Sequence, residues 1–466
     1  MNIVLVRCAE GFVPRETNVT GCYPPLGLAY LAAVLREAGF TPRIIDAEAE
    51  GWGLERVVEA IPADAGIVGF TGTTLLWPTV REVAARVRRA RPNALLVIGG
   101  AQVTAFPEAT LEGSVFDLGI LGDGEQALVE IARRRANGGD YRGVPGCVVR
   151  DPEGHPRQTG PVAWIDDLDS LPLPALDLLP MHRYRSVMVT DPFVSIVTSR
   201  GCPYRCRFCS QIYGGDRLRT HSPERIVAEM ERAVRKYGAR ELVLFDETFG
   251  VRREDALRVC ALIRECGLAF RWSARTRVNV LDEELLVALR DAGCYALHLG
   301  VESGSDRILE AMNKNITVAQ VRDAVALARR LGFRLHAYFM IGYPGETRAE
   351  IAQTLKLSRE LPLDWASYTI TIPNPRTPLC DLAVERGMLA PDYWRDYTLG
   401  NAEPAIPFFT SEECSAAYLK RTKRMAYLRF YLRPCVAARN LVFFVSTGGW
   451  GRLLTAFRLW LREERL

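Results

Sequence analysis

Three cysteines fall within eight residues of this chain: Cys202, Cys206 and Cys209, in the stretch TSRGCPYRCRFCSQ at 198–211. Thiolates spaced this closely ligate metal. A structural zinc site closes with four ligands, but residues 210–220 hold no Cys or His and His221 lies twelve residues beyond Cys209. An iron-sulfur cube is held by cysteine thiolates, and three of them leave one iron open to a ligand that is not protein. The other nine of the 12 cysteines stand singly, as buried thiols do in a reducing compartment.

Such a loop needs strands to hold it, and the chain supplies two sets. With 466 residues, 48% apolar and 24% charged, it reads as a multidomain globular protein. A net charge of +4 is too small for the electrostatic footprint of a nucleic-acid binder. Apolar runs at 2–6, 42–47, 65–71, 94–100 and 118–124 alternate with helix-period stretches at 26–39, 79–90 and 125–136, so 1–150 is expected to be a doubly wound, flavodoxin-like parallel sheet. The Pro-rich 151–185 reads as a linker. A second alternation, with strands at 193–199, 241–246, 270–276, 295–302, 334–342 and 365–371, predicts a partial (β/α)6 barrel over 186–385. The cysteines follow its first strand, at the carboxyl end where such barrels carry chemistry. The last part, 386–466, is expected to be mainly helical.

The cysteine loop resembles that of the radical S-adenosylmethionine superfamily, whose four-iron four-sulfur cluster is held by this spacing with an aromatic residue, here Phe208, before the last cysteine. The resemblance implies that S-adenosylmethionine chelates the open iron and is cleaved there to a 5'-deoxyadenosyl radical. It also implies cofactor contacts at the other strand ends: Asp246 and Glu247 in FDETF, Arg275 after the third strand, Glu302 and Ser303 in GVESGS, and Ile341 and Gly342 in MIGYPGET. Glu346 is expected to support the following helix as an early-turn acid.

The N-terminal segments YPPLGLAYLAAVLREAGF, GGAQVTAFPE and GDGEQAL, ahead of such a barrel, are similar to those of the cobalamin-binding radical enzymes. The corrin contacts implied are Thr71, Thr73, Thr74, Leu76, Trp77, Gly99, Gly100, Gln102, Gly122, Gly124 and Glu125. No Asp-x-His-x-x-Gly occurs and none of the 5 His precedes residue 155, so the resemblance implies cobalt without a histidine from this domain, with Leu76 or Trp77 under its lower face.

The function implied is methyl transfer to an unactivated carbon of a small or lipid-like metabolite, with a flavodoxin or ferredoxin as reductant. The alternatives are oxidation or cyclisation by the same cofactors and, third, a transfer-RNA methylthiotransferase, whose extra cluster cysteines this chain lacks. The N-terminus shows no secretory signal, so a cytoplasmic protein is expected. Residues 417–466 carry eleven Lys or Arg against two Glu, a basic amphipathic composition compatible with peripheral membrane contact, while no apolar run is long enough to cross a bilayer.

Overall fold

Alternate residues of Asn2–Arg7 (β1) belong to different cores: Ile3 and Leu5 pack on one face of the N-terminal sheet, Val4 and Val6 on the other. Period-2 alternation in a fully apolar run is what a strand buried on both faces requires. The structure is a computed structural model describing residues 1–9, 21–210, 217–402, 409–410 and 413–446.

β1 is flanked by Thr41–Asp46 (β2), Ala65–Thr71 (β3), Leu95–Gly99 (β4) and Leu118–Ile120 (β5), all parallel, in the order β2-β1-β3-β4-β5. Helices Leu26–Glu37 and Glu125–Ala136 cover one face; Leu54–Ala60 and Trp77–Ala90 cover the other. The sheet does not stop at 150. Cys147–Arg150 (β6) and Pro156–Gln158 (β7) add an antiparallel hairpin at its edge, four and three residues long and too short for periodicity to reveal. The Pro-rich segment then makes single 3-10 turns, and its Ile165, Leu168 and Leu171 pack on Tyr30.

The second sheet holds six parallel strands in sequence order: Phe193–Ile196 (β8), Glu241–Leu244 (β11), Arg271–Thr276 (β12), Cys294–Glu302 (β13), Arg334–Ile341 (β14) and Trp365–Ile370 (β15). Between the first two, Ser199–Arg200 (β9) and Arg219–Thr220 (β10) form a small antiparallel ribbon. Helices follow each strand on the outside, giving the expected partial barrel. Its open edge, β15, is covered by helix Ala416–Tyr431. There the Tyr431 hydroxyl accepts from Ala366 N at 3.2 Å and donates to Ala366 O at 3.0 Å, while Tyr427 Oη accepts from Tyr368 N at 3.1 Å. Side-chain hydroxyls thus satisfy an edge strand that would otherwise template aggregation. Among the described residues no helix is long and apolar enough to cross a membrane.

Candidate cofactor chamber and active site

The ribbon β9–β10 brings the cysteine loop to the carboxyl end of β8. Cys206 is buried, Cys202 half-buried and Cys209 exposed. Arg277, at the end of β12, donates from Nη1 to Cys206 Sγ at 3.4 Å, stacks on the Tyr204 ring at 3.9 Å and donates to the Lys314 carbonyl. The guanidinium thus holds the Cys206 sulfur in a fixed place. Glu247, Cys206 and Cys202 lie near enough for their charges to act on Cys209, so these four groups share one neighbourhood. Among the described residues no three His, Cys, Asp or Glu side chains converge as around a single ion. Ligands of a cube have no need to, because each binds a different iron.

The acids of FDETF divide. Asp246 is fully buried, accepting Thr198 N at 2.6 Å, Ser199 N at 3.1 Å and the Thr198 hydroxyl. Both its oxygens are therefore spent on the chain entering the cysteine loop, which corrects its expected contact with S-adenosylmethionine: it positions the loop. Glu247 is exposed to the cavity described below.

At the end of β13, Glu302 adopts φ 68°, a left-handed conformation costly for a side chain with a Cβ, and pairs with the buried Lys314 at 2.7 Å. Strain of this kind persists where surrounding structure enforces it. Lys314 Nζ also lies 5.7 Å from the Phe208 ring centroid. Ser303 points the other way, to Thr354 Oγ1 at 3.3 Å, so its side chain does not face the site. After β14, Gly342 N and Tyr343 N donate to Glu346 at 2.6 and 3.1 Å, while Ile341 O accepts from Thr371 N at 2.9 Å. Glu346 therefore clamps the strand exit rather than serving the helix, whose cap is Thr347. Ile341 O and Gly342 N are thus engaged within the chain, and the Ile341 side chain is fully buried. Arg275 lies one residue pair deeper in the barrel than Arg277, its guanidinium 4.2 Å from the Phe245 centroid.

Between the two sheets lies a cavity of about 700 Å³, within the range of ligand and cofactor pockets. Its lining includes Thr71, Thr73, Leu76, Gly99, Gly100, Gly122, Gly124 and Glu125 from the N-terminal sheet, and Val197, Arg200, Gly201, Phe245 and Glu247 from the barrel. Two of its glycines are required by the chain itself. A Cβ on Gly100, at φ 90°, would lie 2.8 Å from Thr71 Oγ1, and one on Gly122 would strike Val162. Among the described residues no His lines the cavity.

Three expected contacts do not line it. Trp77 is fully buried, donates its indole N–H to Thr398 O at 2.8 Å and packs on Phe116 at 6.1 Å. Gln102, also fully buried, donates to Thr398 Oγ1 at 3.0 Å, and Thr74 is buried beside the turn. Of the two candidates for the lower face, Leu76 lines the cavity and Trp77 belongs to the core. Arg200, absent from the expected set, crosses from the cysteine loop to Asp123 and Glu125. Asp123 also takes Arg219 and Ile165 N at 2.9 Å, which with Arg200 holds its carboxyl below the usual range despite burial.

Known proteins decide what this pairing of sheets is. The family model of the radical SAM superfamily matches residues 196–358 and that of the B12 binding domain matches 16–132. An uncharacterized methyltransferase of Pyrococcus horikoshii is 36% identical over 445 residues, 95% of each chain. The chain belongs to the cobalamin-dependent radical S-adenosylmethionine enzymes. The anaerobic magnesium-protoporphyrin IX monomethyl ester cyclase of Rubrivivax gelatinosus is 28% identical over 366 residues, 77% of this chain and 66% of that one. The fold matches that of the cobalamin-dependent S-adenosylmethionine radical enzyme OxsB with aqua-cobalamin bound, at a TM-score of 0.72 and 16% identity, covering 98% of this chain and 72% of that one. A member of this family is an enzyme that uses a four-iron four-sulfur cluster, S-adenosylmethionine and cobalamin. Among its relatives the methyltransferase reading is better supported than cyclisation or methylthiolation.

Proposed function

We propose that this radical S-adenosylmethionine enzyme methylates an unactivated carbon of a small or lipid-like metabolite, with Cys202, Cys206 and Cys209 holding the cluster and a flavodoxin or ferredoxin reducing it. The observation that supports this reading is the shared chamber: Gly99, Gly100 and Gly124 of the cobalamin-binding domain line the same cavity as Val197, Gly201 and Glu247 beside the cysteine loop. Bound there, the cofactors supply a methyl donor and a hydrogen-abstracting radical; that chemistry is theirs.

The chain's own residues bind, orient and exclude water. Asp246 fixes the approach to Cys202, and Arg277 orients Cys206. Glu247, exposed at the chamber wall, is free to accept hydrogen bonds from a bound amino group, and Glu302, strained and fixed by Lys314, from ribose hydroxyls. Leu76 would offer a corrin an apolar surface, and among the described residues no His lines the cavity. Tyr23 and Phe245, in edge contact at 4.7 Å, give the chamber an apolar side that keeps water from reactive species.

The test is metabolic. Cells grown on methyl-deuterated methionine with the wild-type chain should contain a metabolite carrying the intact labelled methyl group, and cells with Cys202→Ala should lack it. A substrate that is altered but unlabelled in the wild type would favour the cyclase reading, which the 28% identical cyclase otherwise keeps open.

A further inference from the structure

The inward residues of the barrel strands form a polar layer that neither the cluster nor the corrin accounts for. Arg275, His298 and His336 are lateral neighbours on β12, β13 and β14, and Tyr338 is the neighbour of Ser367 on β14 and β15. The alternate residues Ala274, Leu297, Leu299, Ala337 and Ala366 pack outward on the helices, so this set faces the lumen. One layer down the lumen is closed by Ser195, Val243, Ser273 and Ala296, each no more than 5% exposed. Above that floor Arg275, His298, Tyr338 and Ser367 are all partly exposed, as are Val197 and Phe245 opposite, so a hollow lies between them. Val197 and Phe245 also line the chamber, whose own lining does not extend to Arg275, His298, Tyr338 or Ser367.

The chemistry of this wall is one-sided. Among the described residues Arg275 has no carboxylate at ion-pair distance. Its guanidinium lies over Phe245 and near enough to Tyr338 for its charge to act on that hydroxyl, and the charge of Asp246 acts on it only from a distance. His298 Nδ1 meets His336 Nδ1 at 3.1 Å, and His336 Nε2 meets Ser367 Oγ at 2.9 Å. Burial and the charge of Arg275 keep the imidazoles neutral, pushing His298 down to about 3. In a neutral pair one Nδ1 donates and the other accepts. When Ser367 donates to His336 and His336 to His298, the His298 Nε2 carries a proton toward the hollow. A cation, a phenol and an imidazole N–H then line one wall; of the carboxylates near it, Glu302 acts on Tyr338 but is paired with Lys314, and Glu247 stands on the chamber wall beside Phe245.

We propose that Arg275, Tyr338 and the His298–His336 pair form an anion subsite that takes the carboxylate of the substrate, leaving its apolar body and reacting carbon toward the chamber. The subsite rests on the methyltransferase reading only for the word substrate. The methionyl carboxylate of S-adenosylmethionine has the same chemistry. Arg275 nevertheless lies below the level of Arg277, Glu302 and the cysteine loop, so the substrate is the better occupant.

The test uses the protein carrying both cluster and cobalamin, with benzoate and its neutral isostere benzamide as probes in saturation-transfer NMR. Wild type should bind benzoate about ten-fold more tightly than benzamide, the worth of one charged hydrogen-bonded contact. Arg275→Met should bring the two within two-fold, and Arg275→Lys should restore part of the preference. Cobalamin uptake by each variant reports that it has folded. Equal binding of both probes by wild type, or a preference that survives Arg275→Met, overturns the subsite. The perturbation of the reduced cluster's electron paramagnetic resonance by S-adenosylmethionine should titrate alike in wild type and Arg275→Met, and a ten-fold weakening would assign Arg275 to the cofactor instead. None of these readouts requires turnover, so a failure of the methyltransferase reading would show separately, as missing S-adenosylhomocysteine.

Discussion

Arg200, two residues before the first cysteine of the cluster loop, donates from Nη2 at 2.5 Å across the seam between the two sheets to Oε1 of Glu125, one residue after Gly124 of the corrin cavity. Its other nitrogen reaches Asp123 at 2.8 Å, and the guanidinium stacks on Tyr30 at 5.7 Å. A planar fork between two carboxylates fixes orientation in a way a lysine ammonium does not. The two cofactor sites are thus tied by one side chain.

Replacing Arg200 by Met leaves Asp123 and Glu125 buried with one cation fewer. Loss of one partner of a buried pair costs about 3 kcal/mol or more. The unfolding midpoint of the apoprotein should drop by several degrees and cobalamin affinity should fall, with Arg200→Lys intermediate. Unchanged melting and unchanged hydroxocobalamin titration would show that the seam is held elsewhere.

Asp246→Ala and Glu247→Gln should separate the neighbours. The first removes the acceptors that hold Thr198 and Ser199, so reconstituted protein should retain well under the about four irons expected of the wild type. The second should keep its iron while S-adenosylmethionine binding weakens about ten-fold, as expected for the loss of a charged acceptor. Equal iron loss in both would mean that Glu247 is also structural.

These neighbours also show what was legible in the sequence. The apolar runs announced both sheets, and the cysteine spacing announced the cluster, because each is encoded locally. Orientation at the strand ends was less visible, although the pleat carries it: Phe245 and Glu247 share the inward parity of Val243, whereas Asp246 shares the outward parity of Leu244. Glu302 escapes this rule, because the register shifts after Gly300 and its φ of 68° turns the carboxylate over Gly300 to Lys314, while Ser303 turns to Thr354. Trp77 was beyond such reasoning, since its hydrogen-bond partner, Thr398, is 321 residues away. So was Arg200, whose acids come from another domain. Within the basic region 417–466, the apolar stretch 453–461 lies outside the described residues, and in 441–445 Leu441, Val442 and Val445 are exposed.

The loop TTLLWP gives a spectroscopic test. Leu76→His should place an imidazole in the cavity and introduce axial nitrogen hyperfine splitting in the spectrum of bound cob(II)alamin, which the wild type should lack. Trp77→His should introduce none and instead lower stability by about 3 kcal/mol or more, as removal of a fully buried aromatic does. Splitting from the Trp77 variant would reverse the two assignments.

Glu229, on helix Pro223–Tyr237, sets a pH dependence. Burial raises its carboxyl from 4.5 to about 7 against the opposing Tyr30 hydroxyl, 3.1 Å away, and the charges of Arg225 and Arg232. The folded state holds this proton more tightly than the unfolded one, so the contribution to stability is complete below about pH 4.5 and is lost as pH rises through about 7. The loss is about 3 kcal/mol. Glu229→Gln should be more stable than wild type above pH 7 and should flatten the decline between pH 4.5 and 7 in denaturant titrations. Parallel curves for the two proteins would refute the assignment.

The most direct measurement needs no knowledge of the substrate. Anaerobically reconstituted enzyme with reductant and S-adenosylmethionine is assayed for S-adenosylhomocysteine with and without cobalamin, and for 5'-deoxyadenosine with and without Cys206. A cobalamin-dependent methyltransferase should form S-adenosylhomocysteine only when cobalamin is bound, and 5'-deoxyadenosine only with the cysteine intact. Formation of 5'-deoxyadenosine while S-adenosylhomocysteine stays at background with cobalamin fully loaded would contradict methyl transfer and leave an oxidase or cyclase.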